Sequence, residues 1–293
     1  MFKIWLFVSV FAVLAALMAP SQALSSSKPD DSRRAILLVA FGTSVPEAQT
    51  AFDRIDAHVK GAFPGVEIRW AFTSKHIRKR LAGQGKILDS PEVALARMME
   101  EGFTHVAVLS LHIIPGQEFH DLKTNVDLFA RMSGGFERVL VAQPLLSSHE
   151  DMVRTAESLI QRIPADRNPE DAIVFMGHGS RHHPADAAYA AMSYVFERMT
   201  PNVYMATVEG YPTIEQIIPE LLEKGVKKVY LMPFMVVAGD HARNDMAGTE
   251  PDSWKSILSQ QGLTCETVLT GLGEYPEVVQ IWVDHLREIY SRL

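Results

Sequence analysis

The sequence predicts an α/β protein with parallel sheets, and three observations carry that prediction. Strand-like and helix-like stretches alternate along the chain from Ala35 onward. The strand stretches are mostly apolar runs, as expected for parallel strands covered by helices on both faces. The second half also repeats the first. Ile36-Leu-Leu-Val-Ala-Phe-Gly-Thr-Ser44 parallels Ile173-Val-Phe-Met-Gly-His-Gly-Ser180, and Val106-Ala-Val-Leu-Ser-Leu-His-Ile-Ile-Pro-Gly116 parallels Val229-Tyr-Leu-Met-Pro-Phe-Met-Val-Val-Ala-Gly239. In that register Phe41 stands opposite His178, Ser74 opposite Glu209 and Glu118 opposite His241. The expected architecture is two similar Rossmann/flavodoxin-like domains, residues 35–165 and 170–293. Each holds a four-stranded parallel sheet flanked by helices, with the active-site cleft between them. The Pro, Asp and Asn cluster at Pro164–Pro169 marks the join.

The chain starts outside that fold. Lys3 supplies a short basic start, Ile4 to Met18 is apolar apart from Ser9, and Ser21-Gln-Ala23 is a small-x-small cleavage pattern. Residues 1–23 therefore read as a secretory signal peptide cleaved near Ala23, which predicts a periplasmic protein without a stable membrane anchor after cleavage. The apolar run is shorter than the roughly 20 residues a membrane span needs. Leu24 to Arg34, rich in Ser, Lys and Asp, reads as a loose lead-in.

The elements then follow in order. Strands are expected at Ala35–Phe41, Val66–Phe72, His105–Leu111 and Arg138–Ala142 in the first half, and at Ala172–Met176, Val203–Val208, Lys228–Leu231 and Thr264–Leu269 in the second. A helix over Pro46–Ala62 places Ala51, Phe52, Ile55 and Val59 on one face. A helix over Ser147–Ile163 carries Met152, Ala156, Leu159 and Ile163, and one over Tyr275–Leu293 shows a single apolar stripe through Val278, Val279, Trp282, Leu286 and Ile289.

Composition removes several function classes. With 293 residues, 47% hydrophobic, and a net charge of −7, the chain is an ordinary globular length whose acidic balance argues against a nucleic-acid partner. Its one cysteine, Cys265, excludes an internal disulfide and a cysteine-ligated zinc cluster. The Gly-rich turns Gly42-Thr-Ser44 and Gly177-His-Gly-Ser180 fit neither dinucleotide nor P-loop spacing.

The chemistry sits at strand ends. Ala172–Met176 runs into Gly177-His178-Gly179, a sharp turn that exposes its histidine at the carboxyl end of a strand, where open α/β sheets place their ligands. Val203–Val208 ends in Glu209-Gly210, and Val229–Val237 ends in Ala238-Gly-Asp-His241. If these strands are neighbours, His178, Glu209 and His241 meet on one rim. Two imidazoles and a carboxylate suit a divalent transition metal.

These motifs carry a resemblance. His178-Gly-Ser-Arg, Val208-Glu-Gly-Tyr-Pro, the run Met232 to Met246 and Leu111-His-Ile-Ile-Pro-Gly116 resemble the ATP-independent tetrapyrrole chelatases. Within that group they are most similar to the cobaltochelatases of the anaerobic cobalamin pathway, over about Ala35 to Leu293. The resemblance implies insertion of Co²⁺ into sirohydrochlorin, a metal site on His178, Glu209 and His241 in the second half, and no organic cofactor. The partners it implies are the tetrapyrrole and a divalent metal, and it is compatible with a homo-oligomer. The ligand set suits Fe²⁺ as well as Co²⁺. Tetrapyrrole synthesis is usually cytosolic, so the export signal departs from the pattern.

Metal insertion requires the metal to lose water, the ring to expose its nitrogens, and two pyrrole protons to leave. Three protein ligands leave coordination positions open for ring nitrogens. His178 is expected as ligand and first proton acceptor, Glu209 as ligand or relay, and His241 as ligand. The basic run Lys75-His-Ile-Arg-Lys-Arg80 starts at a strand's carboxyl end, so Lys75, Arg78 and Arg80 are candidates to pair with substrate carboxylates, against the plain reading of a solvated helix face. His105, His112 and His120 are candidates for a second metal or tetrapyrrole site. The alternative function is a non-catalytic periplasmic carrier of metal or tetrapyrrole.

Overall fold

In the computed structural model, which describes residues Ser32–Leu293 apart from Arg181, eight strands form two sheets on one plan. The expected signal peptide lies outside the described residues. The first sheet holds β1 (Arg34–Ala40), β2 (Glu67–Phe72), β3 (His105–Ser110) and β4 (Arg138–Val141), in the order β2-β1-β3-β4. The second holds β5 (Ala172–Gly177), β6 (Val203–Thr207), β7 (Lys228–Pro233) and β8 (Thr264–Thr267), in the order β6-β5-β7-β8. Every pairing is parallel. This is the flavodoxin-like order, in which the chain reverses its direction of winding between the first and third strands and leaves a crevice at their carboxyl ends.

The helices connect the strands in turn. In the first half they are α1 (Gln49–Ala62), α2 (Lys75–Ala82), α3 (Pro91–Glu100), α4 (Gln117–Phe129) and α5 (His149–Ile160). In the second they are α6 (Ala187–Met199), α7 (Ile214–Glu223), α8 (Trp254–Gln260) and α9 (Pro276–Tyr290). Serine caps set several starts. Ser74, Ser90, Ser148 and Ser253 each accept a backbone N–H of the first turn, satisfying donors the helix cannot pair itself.

Strand alternation divides the core into three layers. Ala35, Leu37 and Val39 of β1 pack with Leu95 and Met98 of α3 on one face of the first sheet. Ala172, Val174 and Met176 of β5 pack with Leu221 of α7 and Leu258 of α8 on the matching face of the second. The intervening residues, Ile36 and Leu38 of β1 and Ile173 and Phe175 of β5, belong to one shared core together with α1, α5, α6 and α9. Both faces of the central strands β1, β3, β5 and β7 are therefore covered, which is why these strands read as near-continuous apolar runs.

α9 departs from its expected single apolar stripe. Ile281 and Val283 are buried along with Val278, Val279, Trp282, Leu286 and Ile289. The reason is its position. Although it follows the second sheet in sequence, it packs on β3 and β4 of the first sheet and between α1 and α5. Arg154 pairs with Asp284 and Arg162 with Glu277, and His285 Nε2 lies 3.1 Å from Asp151 Oδ1, so ion pairs and a hydrogen bond tie α9 to α5 and to the turn that follows it. Among the described residues, no helix is long and apolar enough to cross a membrane.

Candidate active site

The strand order fulfils the condition set by the sequence. β5 is central, with β6 on one side and β7 on the other. His178 therefore follows the middle strand, Glu209 follows one neighbour and His241 the other. All three line one cleft of about 720 Å³, a size typical of small-molecule sites. The switch point between β5 and β7 brings the two imidazoles together, with ring centroids 4.8 Å apart and planes at 83°.

Each histidine is oriented by a hydrogen bond at Nδ1. His178 Nδ1 lies 2.9 Å from the Gly179 carbonyl oxygen. His241 Nδ1 lies 2.5 Å from Oδ2 of Asp245, one turn on. Both partners accept, so each Nδ1 carries a proton, and in the neutral form of each ring Nε2 is the bare nitrogen, the one a metal ligand needs. His241 also stands at the start of a π-helical turn, Ala242–Met246, a local widening often found at functional sites. The turn at His178 depends on Gly179, whose φ of +77° is left-handed; Gly42 after Phe41 has φ +106° at the matching place in the first half.

Glu209 borders the same cleft, and its backbone N–H donates to the His178 carbonyl at 2.9 Å. Among the described residues, no three His, Cys, Asp or Glu side chains already stand as a metal-holding group. The expected trio thus shares one cleft, with two imidazoles in contact and Glu209 among the lining residues, and does not form a closed cage among the described residues.

The first half supplies the other wall. Phe41, Ile113 and Phe119 give it an apolar surface, to which Val236 and Val237 add from the second half. A second polar group sits there too. His112 Nδ1 is 2.9 Å from Ser110 Oγ, His112 Nε2 is 3.2 Å from Glu118 Oε2, and Thr73 Oγ1 donates to the same Glu118 oxygen at 3.3 Å. Sequence reasoning placed Glu118 opposite His241 without giving it a role; the repeat register was the available signal.

The remaining candidates separate. His105 opens β3 at the far end of the strand from the cleft and bonds Thr104. His120 is exposed, and its ring lies 5.6 Å from that of His183, which caps the short helix Pro184–Asp186. His182 is exposed and lines the cleft. In the basic run it is His76 and Ile77 that line the cleft, not Lys75, Arg78 or Arg80. Lys75 is exposed, and the Arg78 Nε is buried without a hydrogen-bond partner among the described residues. Arg80 reaches Asp240 at 3.7 Å, beside His241 at the rim. Helical spacing accounts for the division: the face of α2 toward the cleft carries His76 and Ile77 and, one turn on, Arg80 at the rim, while Lys75 and Arg78 lie off it.

Comparison with solved structures places this architecture among the chelatases. SirB from Bacillus subtilis with Fe³⁺ matches with a TM-score of 0.59 and 17% identity, covering 87% of this chain and 95% of that one. CbiX, described as the terminal enzyme of siroheme biosynthesis in denitrifying bacteria, matches with a TM-score of 0.55 and 17% identity, covering 87% and 99%. At that identity the likeness shows the fold alone.

Sequence comparison is more specific. The family model for cobalt chelatase (CbiK) matches residues 34–291. The sirohydrochlorin cobaltochelatase CbiKC of Nitratidesulfovibrio vulgaris is 46% identical over 274 residues, covering 92% of this chain and 96% of that protein. The sirohydrochlorin cobaltochelatase of Salmonella typhimurium is 37% identical over 258 residues, covering 87% and 96%. The chain belongs to the cobalt chelatase (CbiK) family.

Proposed function

We propose that this protein is a sirohydrochlorin cobaltochelatase, inserting Co²⁺ into the macrocycle without ATP, with His178, Glu209 and His241 as the metal site. The observation that carries the reading is the pair of imidazoles, 4.8 Å apart at adjacent strand ends and each with Nδ1 committed to an acceptor, in a chain of the cobalt chelatase family. Two neutral Nε2 donors hold a borderline cation while leaving positions open to ring nitrogens. Glu209 adds a carboxylate as ligand or proton relay. The apolar wall at Phe41 and Ile113 suits the face of a macrocycle, and the His112–Glu118 pair offers acceptors for pyrrole protons across the cleft. Fe²⁺ fits the same donors, and no organic cofactor is required for the step. The leader read at Met1–Ala23 supports export to the periplasm, and amino-terminal sequencing of protein from its native host tests that separately.

The test is an anaerobic absorbance assay with purified protein, sirohydrochlorin, and Co²⁺ or Fe²⁺ in turn, without ATP. Catalytic turnover with Co²⁺ is the expected outcome. A spectral change that stops at one equivalent of protein would return the chain to the carrier reading, which the names of its curated relatives do not favour.

A further inference from the structure

The loops bearing His178 and Glu209 meet beyond the ends of their strands, and something must hold them there. Val208 N–H donates to the Gly177 carbonyl at 3.0 Å and Glu209 N–H to the His178 carbonyl at 2.9 Å, so the β5–β6 ladder continues as far as the two side chains. Past that point the ladder is replaced by one carboxylate. Asp186, 8% exposed, accepts from Ser180 N–H at 3.1 Å and from Tyr211 N–H at 3.2 Å, both on Oδ2. Ser180 is two residues after His178, and Tyr211 is two residues after Glu209. The carboxylate is thus a bridge between the two loops.

The fit is built to that carboxylate. A Cβ on Gly210 would lie 1.8 Å from Asp186 Oδ2 and 2.8 Å from Ser180 N, so only glycine leaves the oxygen its place. The other oxygen, Oδ1, is buried with no hydrogen-bond partner among the described residues, which is costly for a carboxylate with no role beyond packing. Three residues later Tyr189, fully buried, sets its ring against Gly177 and its phenol oxygen against the His178–Gly179 backbone. The start of α6 therefore grips the His178 turn with two side chains, the Asp186 carboxylate and the Tyr189 phenol. The Gly179 carbonyl is also what takes the His178 Nδ1 proton. Holding this turn therefore sets which nitrogen of His178 is left bare.

We propose that Asp186 is a positioning residue of the metal site, locking the His178 turn to the Glu209 loop so that their side chains face one metal. The proposal rests on the assignment of His178, Glu209 and His241 above. Partners that orient metal ligands typically matter by about 10–100-fold in metal affinity.

The experiment uses the full chain and Co²⁺ alone, without tetrapyrrole. Co²⁺ affinity and the visible absorption spectrum of the bound ion are measured under anaerobic conditions for Asp186→Ala, Asp186→Asn, Gly210→Ala and His241→Ala, with thermal unfolding alongside. Asp186→Ala should weaken Co²⁺ binding at least about tenfold and alter the spectrum. Asp186→Asn, whose amide oxygen still accepts from both N–H groups, should recover most of the affinity. Gly210→Ala displaces the carboxylate without removing it and should reproduce the loss, which keeps the proposal testable if Asp186→Ala does not fold. Wild-type affinity and spectrum in Asp186→Ala or in Gly210→Ala would overturn the proposal, even with a lowered unfolding temperature. If His241→Ala also kept wild-type affinity, the metal-site assignment itself would fail, and not only the role of Asp186.

Discussion

The two halves of this molecule share a topology and differ in what they put at the strand ends. Phe41 and His178 follow the first strand of their sheets, each succeeded by a glycine with positive φ. Ser74 caps α2 where the second half presents Glu209, and the His112–Glu118 pair stands where the second half presents His241. Both sets line the same cleft. The shared backbone delivers side chains to one place, and residue type decides what each wall does. One wall is largely apolar and holds the His112–Glu118 pair, and the other carries His178, Glu209 and His241. The lesson is that strand order locates a site in this fold, while the chemistry lies in a handful of positions whose equivalents in the other half are ordinary.

That contrast can be broken most severely on the donor wall. His178→Ala and His241→Ala should each lower Co²⁺ insertion by more than about 100-fold, beyond the loss expected for a residue that merely orients a ligand. Circular dichroism should remain native, since both side chains are partly exposed in turns. Glu209→Ala should cost less, about 10–100-fold in turnover, because water can occupy a carboxylate's coordination place. A folded His241→Ala protein with near-normal turnover would sink the assignment of this wall.

The opposite wall should respond in a different quantity. Phe41 is 46% exposed, so a bound ring can cover it further. Truncation to Ala should raise KM for the tetrapyrrole about fivefold, on the order of 1 kcal/mol of lost apolar contact, while Co²⁺ affinity stays the same. An equal loss of metal affinity would mean that the two walls do not divide the work.

The basic helix should matter less again. Of Lys75, Arg78 and Arg80, only Arg80 approaches the rim, through a half-exposed ion pair with Asp240. Arg80→Ala should change KM by a few-fold at most, about 1 kcal/mol or less for a surface pair, and Lys75→Ala and Arg78→Ala by less. A large KM effect confined to Lys75 or Arg78 would restore the whole run as a carboxylate-binding surface.

The smallest effect lies away from the cleft. The Arg162 guanidinium holds the Glu277 carboxyl below its ordinary range. Burial alone would raise Asp284, but hydrogen bonds from Arg154 and Gln280 more than offset it and leave that carboxyl low as well. A depressed folded-state pKa contributes stability above the unfolded value and loses it as pH falls through the folded one. The α5–α9 clasp should therefore weaken only as pH drops below the usual carboxylate range of about 4. Because these pairs are partly exposed, Arg154→Ala should shift the unfolding temperature at pH 7 only slightly, and hardly at all at the acid end.

What the sequence determined by itself was local and periodic. Short strand-like runs located all eight strands to within two residues at either end, and most plainly the central strands, whose burial on both faces leaves near-continuous apolar runs. The turn Gly177-His178-Gly179 was legible for the same reason: a backbone forced into left-handed φ needs glycine, and a polar side chain between two glycines has little packing to do. Contacts between residues far apart in the chain were not legible. Nothing local shows that Asp186 bridges two loops, that Arg78 turns from the cleft, or that His112 bonds Glu118, because each depends on which helix face meets which neighbour. The placement of α9 is the clearest case. Its apolar pattern said that it is buried, but only the tertiary structure decided that it packs on β3 and β4 of the sheet it does not follow, since hydrophobic burial is non-directional and the choice of partner falls to shape and to distant ion pairs.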